Sequence, residues 1–175
     1  MIWRMPAIPP NANVTLSLSG TTEAERPSLA GLVLYDEIVS HVFAEGSGST
    51  TVNLQLRVVR STATGLLDFY YRIIATQTFA SPVSFVVEAS LAGLVYTYAD
   101  FRPDGSGTMP PIEFQIFPQD EVNHPVYKFF FATGMTAGES TRFFFVSSNA
   151  TEFSPVACEI NNNVNTNPCP GPTGF

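Results

Sequence analysis

The chain has 175 residues, enough for one domain with a full core, since a domain of about 150 residues buries roughly 70% of its unfolded surface. Charged residues form only 13% of the sequence, about half the usual ~25%, whereas phenylalanine occurs 15 times. A net charge of −7 with scattered arginines argues against nucleic acid as a partner and against anionic membrane surfaces. No apolar run approaches the roughly 20 residues of a membrane span, so no membrane insertion is predicted.

An extended apolar arm is predicted for residues 1–12. Three prolines remove amide donors there and favour an extended polyproline geometry. The arm also carries large apolar side chains without any strand or helix period, namely Ile2, Trp3, Met5 and Ile8. Such an arm must pack on its own domain or on a neighbouring molecule, and we expect it to drive self-association into a homopolymer.

The first regular strand is expected at residues 13–19, where apolar and hydroxyl side chains alternate. Val14, Leu16 and Leu18 share one face, because successive side chains of a strand point to opposite sides. We expect this strand to continue the arm and to insert beside an open sheet edge of the next subunit.

Residues 52–74 carry the clearest pattern and predict a half-buried β-hairpin. Apolar side chains recur at every second position of its first strand: Val52, Leu54, Leu56 and Val58. The second strand repeats the alternation with Leu67, Phe69, Tyr71 and Ile73. A short glycine-containing turn joins the two strands.

The rest of the chain repeats this period of two between turn-forming Gly, Pro, Ser and Asp residues. Strands are predicted at about 31–44, 50–60, 66–78, 82–90, 93–99, 111–117, 125–133, 141–148 and 152–160. Residues 29–39 are ambiguous and leave room for one helical turn. The pattern predicts an all-β fold, a single β-sandwich or jelly-roll-like domain over residues 13–160.

Two cysteines, Cys158 and Cys169, lie close together near the end of the chain. The spacing is neither a redox Cys-x-x-Cys motif nor part of a larger ligand set, so we predict a disulfide. Such a bridge stabilises by about 3 kcal/mol in the chain-entropy model and persists in oxidising compartments. We therefore expect an Asn/Pro/Gly-rich tail over residues 161–175, closed by the disulfide, in a secreted or cell-surface protein.

No catalytic constellation stands out. His41 and His124 are the only histidines, and neither lies in a motif with an activated nucleophile. Serine-hydrolase, zinc-protease and phosphate-loop motifs do not occur in the sequence. The sequence therefore predicts neither an enzyme nor a cofactor.

The turn around Arg102 contains two weak calcium candidates. Asp100 and Asp104 offer the hard carboxylate oxygens that calcium prefers, but they do not reproduce the Asp-x-Asp-x-Asp-Gly loop. Aspartate is also an ordinary turn residue. We favour a turn and predict no metal site.

Aromatic residues beside this turn offer a different function. Tyr96 and Tyr98 are expected to share one face of a strand and, with Phe101, to form a platform for sugar rings. Alternating aromatic residues also suit a core, so a glycan platform is a second hypothesis.

Three strand-and-turn stretches are similar to those of a known group: Thr64-Gly-Leu-Leu-Asp-Phe-Tyr-Tyr-Arg, Phe101-Arg-Pro-Asp-Gly-Ser-Gly and Ser140-Thr-Arg-Phe-Phe-Phe-Val-Ser-Ser-Asn-Ala-Thr-Glu-Phe. With them, residues 31–153 resemble secreted bacterial β-sandwich proteins, many of which carry an exosortase (PEP-CTERM) sorting tail. The resemblance implies export to the cell surface or to an extracellular, biofilm-type matrix. The Pro-Glu-Pro motif of that tail does not occur in this sequence.

The leading hypothesis is a secreted structural subunit that forms an extracellular fibre or surface matrix through exchange of its N-terminal arm. An arm that adds a strand to an open sheet edge supplies main-chain hydrogen bonds, and head-to-tail contacts of this kind build filaments. The alternatives are a carbohydrate-binding or adhesive module and a viral or phage shell or decoration protein. The fibre subunit predicts large assemblies without a ligand, whereas the binding module predicts a monomer.

Overall fold

The computed structural model of the protein describes residues 14–88, 95–119, 124–161, 163–164 and 169–174. These residues contain one short 3-10 helix, Pro27–Leu29, and thirteen strands. In chain order the strands are β1 Val14–Ser17, β2 Gly31–Glu45, β3 Gly48–Ser61, β4 Leu67–Ala75, β5 Ser84–Glu88, β6 Tyr96–Phe101, β7 Glu113–Gln119, β8 His124–Phe130, β9 Phe144–Ser148, β10 Glu152–Val156, β11 Cys158–Ile160, β12 Asn163–Val164 and β13 Cys169–Gly174. The predicted all-β class is confirmed.

The strands form two main antiparallel sheets. The five-stranded sheet has the order β2-β3-β4-β9-β6, and the six-stranded sheet has the order β1-β7-β8-β5-β11-β12. Aromatic side chains of the two sheets meet between them: the ring centroids of Tyr71 and Phe85 are 4.9 Å apart, and those of Phe129 and Phe144 are 4.8 Å apart. These contacts form the main core of a sandwich, as predicted.

The predicted hairpin at residues 52–74 forms from β3 and β4, and the structure gives its register. Leu56 lies opposite Tyr71 and Val58 lies opposite Phe69, all of them fully buried in the main core. Gly65 turns the chain between β3 and β4 with φ of 74°, which a residue with a Cβ rarely adopts. The alternation therefore fixes both the strands and the face that packs inward.

The end of the chain differs from the expected tail. β13 pairs antiparallel with β10 as a separate two-stranded sheet, and Pro155 lies opposite Pro170. Proline cannot donate to a ladder but is tolerated on edge strands, and both strands of this sheet are edges. Because of its proline content, β13 was not predicted as a regular strand within residues 161–175.

Two further observations complete the comparison with the predicted elements. Residues 29–39 do not contain the helical turn that the sequence left open: the 3-10 helix Pro27–Leu29 ends at Leu29, and β2 follows from Gly31 with an irregularity in its register between Val33 and Tyr35. The predicted arm, residues 1–12, lies outside the described residues. Within the described ranges, no helix has the length and apolar character needed to cross a membrane.

Candidate functional site

A second apolar cluster covers part of the outer face of the five-stranded sheet. Residues 18–30, here called the strap, cross this face after β1 and place Leu29 on it. The buried residues of this outer cluster are Leu29, Val59, Tyr70, Phe143 and Phe145. The sequence pattern treated this face as polar. The signal that could have revealed it is the Phe143-Phe144-Phe145 run, since consecutive aromatic residues in a strand face both sides.

Beside the strap the same face opens into a cleft of about 370 Å³. Its floor is the part of β3 and β4 that the strap leaves uncovered, and one wall is the loop that follows β6. Gly107 in that loop has φ of 94°, and a Cβ there would overlap the carbonyl group of Thr141. The polar and aromatic side chains that line the cleft include Gln55, Arg57, Tyr70, Arg72, Arg102 and Phe143. We call this site the arginine cleft.

Three of the seven arginines of the chain therefore meet in one place. The guanidinium groups of Arg57 and Arg72 both lie over the ring of Phe143, at 4.7 Å and 5.0 Å from its centroid. Such cation-π contacts hold the planar groups in fixed orientations at the floor of the cleft. The cleft is a built arrangement of positive charge on a chain that is acidic overall.

Carboxylates neutralise two of these arginines. The Nη2 atom of Arg57 lies 2.6 Å from Oδ2 of Asp36, and Nε of Arg102 lies 2.8 Å from Oδ1 of Asp104. The hydrogen bonds from Arg102 lower the pKa of Asp104 to about 2. Burial opposes ionisation of Asp36, but the hydrogen bonds from Arg57 and Gln55 outweigh it and lower the pKa of this carboxyl.

The second notable surface is the open side of β2. This 15-residue strand forms one edge of the five-stranded sheet and pairs only with β3 among the described strands. Several of its large apolar side chains are exposed: Leu32 by 64%, Val33 by 48%, Ile38 by 56% and Val42 by 54%. A long apolar edge strand with unpaired backbone groups is a template for pairing with another strand.

The structure places the predicted inserting strand in its own sandwich. Val14 lies opposite Ile116 and Leu16 lies opposite Phe114 of β7 in the same chain, and Leu18 also packs on the main core. Exchange of this strand between copies would have to replace that pairing. The arm anchors Ile2, Trp3, Met5 and Ile8 lie outside the described residues.

The structure does not bring the side chains of the predicted aromatic platform, Tyr96, Tyr98 and Phe101, together on one surface. A β-bulge between Tyr96 and Tyr98 adds one residue to β6, so the two side chains point to opposite faces. Tyr96 is buried in the main core, where Phe101 also packs, whereas Tyr98 packs on the outer cluster. The expectation that the two tyrosines share one face was wrong, because a simple alternation cannot reveal a bulge.

The two aspartates considered as calcium ligands instead bind neighbouring residues, Asp100 through hydrogen bonds and Asp104 through an ion pair. The buried Asp100 carboxylate accepts hydrogen bonds from the Gly20 amide at 2.8 Å, the Thr21 hydroxyl at 2.8 Å and the Tyr98 hydroxyl at 3.0 Å, and so fastens the strap to β6. Asp104 faces Arg102 instead. No group of three or more His, Cys, Asp or Glu side chains suited to a metal ion occurs among the described residues.

Cys158 and Cys169 form the predicted disulfide, with their Cα atoms 5.8 Å apart. The bridge joins β11 in the six-stranded sheet to β13 in the terminal two-stranded sheet. Disulfides persist in oxidising environments, so this covalent link fits a location outside the cytoplasm.

Fold and site together define a disulfide-bonded all-β sandwich with an arginine cleft on one outer face and an open apolar edge strand. Comparison of the chain with protein families, curated proteins and solved structures found no match.

Proposed function

We propose that the protein is a secreted structural subunit that assembles head to tail into an extracellular fibre or surface matrix. The observation that carries the proposal is the open edge of β2, with five exposed large apolar side chains along 15 residues. Monomeric proteins usually protect such an edge, because it pairs readily with another chain. The disulfide supports the extracellular setting over assembly as a viral shell in a reducing cytoplasm.

The occupant we propose for this edge is the N-terminal arm of a second copy. The arm precedes β1, and the strap that follows β1 is held beside β6, since the Thr21 amide donates to the Phe101 carbonyl at 2.9 Å. β2 lies at the other end of the five-stranded sheet, where it contacts β12. β1, which the arm precedes in sequence, and β2 thus lie at opposite ends of the sandwich. Contacts of this heterologous kind form open filaments unless the rotation between subunits happens to close a ring.

A variant with charged side chains on the open edge of β2 tests the proposed assembly. The double variant Ile38→Lys/Val42→Lys places two lysines on the open strand, which is how natural edge strands avoid pairing. We expect the wild-type protein to sediment as assemblies far larger than its 19.0 kDa subunit and the variant to sediment as a monomer. Sedimentation velocity measures the size, and negative-stain electron microscopy shows whether the wild-type assemblies are filaments.

The matched control is Ile112→Lys. Ile112 is 52% exposed, like the two edge residues, but precedes β7 of the other sheet. This variant should assemble as the wild-type protein does. A monomeric wild-type protein, or a double variant that still forms filaments, would contradict the proposed role of β2.

A further inference from the structure

One guanidinium group of the arginine cleft makes no direct ion pair with a carboxylate among the described residues. Arg72 makes no ion pair or hydrogen bond there, whereas Arg57 pairs with Asp36 and Arg102 pairs with Asp104. Burial, and then the neighbouring charge of Arg57, lower the pKa of Arg72, and the carboxylate of Asp36, which pairs with Arg57, opposes this shift only in part. A half-buried cation beside a second cation is unfavourable unless an anion joins it.

The side-chain amide of Gln55, which also lines the cleft, contains a second polar group that lacks a partner in the described part of the chain. The side-chain nitrogen of Gln55 donates to Asp36 at 2.8 Å, but its buried oxygen has no hydrogen-bond donor in the described structure. An unsatisfied acceptor of this kind calls for a donor such as a hydroxyl group. A simple carboxylate could satisfy Arg72 alone, and a neutral sugar could satisfy Gln55 alone.

We propose that the arginine cleft binds a uronic acid unit, a sugar that carries both a carboxylate and hydroxyl groups. The carboxylate pairs with the guanidinium of Arg72, and a ring hydroxyl donates to the amide oxygen of Gln55. The cleft volume of about 370 Å³ lies within the range of small-molecule sites, roughly 300–1,000 Å³. An acidic peptide also carries N–H donors, but it presents carboxylate and donor on a flexible chain, whereas the sugar ring holds both in a fixed relation and so loses less entropy on binding.

The two proposals are tested at different residues: the edge variants change Ile38 and Val42, which do not line the cleft, although Val33 of β2 does. Success or failure of the sugar experiment therefore says nothing against filament formation, and the reverse also holds.

The test titrates the full-length protein with D-glucuronate, D-glucose, acetate and L-glutamate. Saturation-transfer NMR detects binding even to large assemblies, and the midpoint of thermal unfolding gives a second readout. We expect D-glucuronate to bind with a dissociation constant on the order of 1 mM, the strength typical of so small a ligand. The other three ligands should bind at least tenfold more weakly.

Three variants assign the binding to the cleft. Arg72→Gln should lose roughly tenfold or more in affinity, and Arg72→Lys should lose less, because it keeps the charge without the planar fork. Lys128→Gln removes one positive charge from the six-stranded sheet and should bind as the wild-type protein does. Unfolding curves without ligand confirm that each variant is folded.

Several results would overturn the proposal. The first is absence of D-glucuronate binding at tens of millimolar. Equal binding of D-glucose, acetate or L-glutamate would replace the uronic acid site by general sugar, anion or peptide-carboxylate binding. Equal losses in Arg72→Gln and Lys128→Gln would show that overall charge, and not the cleft, governs binding.

Discussion

At the residue scale, a buried pair of tyrosines links three parts of the fold. The hydroxyl groups of Tyr71 on β4 and Tyr127 on β8 are 2.5 Å apart, and the Tyr71 hydroxyl donates to the Pro170 carbonyl at 3.1 Å. Tyr127 is therefore the donor to Tyr71. Burial raises the pKa of both hydroxyl groups well above the usual tyrosine value, so the pair is neutral and the network is stable throughout the physiological range.

Removal of one hydroxyl group should show how much this network contributes. Tyr71→Phe leaves the Tyr127 hydroxyl and the Pro170 carbonyl without their partner and should lower the free energy of unfolding by about 1–3 kcal/mol. Tyr96 provides the matched control, because its buried hydroxyl has no partner in the described structure. Tyr96→Phe should leave the free energy of unfolding unchanged or raise it. Urea unfolding measures both, and equal losses in the two variants would contradict the role of the network.

A buried carboxyl group makes the stability depend on pH in an unusual direction. Burial raises the pKa of Asp68 from its ordinary value of 3.8 to about 6, although a hydrogen bond with Ser147 opposes the shift. Between these two values the folded protein keeps a proton that the unfolded chain has lost. Stability should therefore fall as the pH rises from about 4 to about 6, by about 3 kcal/mol for a shift of this size.

The variant Asp68→Asn isolates this effect because asparagine does not titrate. The free energy of unfolding, measured in urea at pH 4, 5, 6 and 7, should fall less steeply for the variant than for the wild-type protein. Asp104→Asn is the control: the pKa of Asp104, about 2, lies below its ordinary value, so the stability it contributes is constant above about pH 4 and is lost only as the pH falls further. This variant should therefore be less stable than the wild-type protein by a constant amount between about pH 4 and pH 7 and keep the wild-type slope. An Asp68→Asn variant with the wild-type slope would contradict the assignment.

At the element scale, the disulfide should hold the terminal strand. Cys158→Ser/Cys169→Ser removes the link between β11 and β13 and should cost about 3 kcal/mol, because the unfolded chain gains the freedom of the opened loop. Hydrogen exchange at residues 169–174 should rise more than exchange in the β3–β4 hairpin. A reducing agent should destabilise the wild-type protein and leave the double variant unaffected. An unchanged urea midpoint on reduction would contradict this role.

The elements also show which patterns a single sequence can convey. The β3–β4 hairpin was predictable in its strands and in the face that packs on the main core, because that side is apolar at every second position. The outer cluster was not, because residues such as Tyr70 depend on cover from the distant strap. The arginine cleft combines residues of β3, β4 and the loop after β6, which only the fold brings together. The bulge at Tyr96 and the proline-containing β13 are set by the strands that pair with them, and the local periodicity of the sequence does not reveal which strands pair.

At the scale of the whole molecule, the two ends of the sandwich differ: one carries an open strand edge, and the other carries the strand that follows the apolar arm in sequence. β2 at one end has exposed apolar side chains and an open backbone edge, while β1 at the other end is preceded in sequence by the apolar arm. The described β1 already pairs with β7 of its own chain, so the proposal assigns the exchange to residues 1–12 and not to β1. The arm therefore becomes the donor in the proposed filament, and Ile2, Trp3, Met5 and Ile8 become its anchors.

Deletion of residues 1–12 tests this division of roles. The truncated protein keeps β1 and every residue of the described core, so we expect its urea midpoint to stay within error of the wild-type value and filaments to disappear. An equimolar synthetic peptide of residues 1–12 should bind the truncated protein, because it fills the free edge of β2, and should not bind a truncated protein that also carries Ile38→Lys/Val42→Lys. Filaments formed by the truncated protein would show that β2 edges pair directly with one another. Loss of filaments without peptide binding would place the arm elsewhere on the neighbouring subunit.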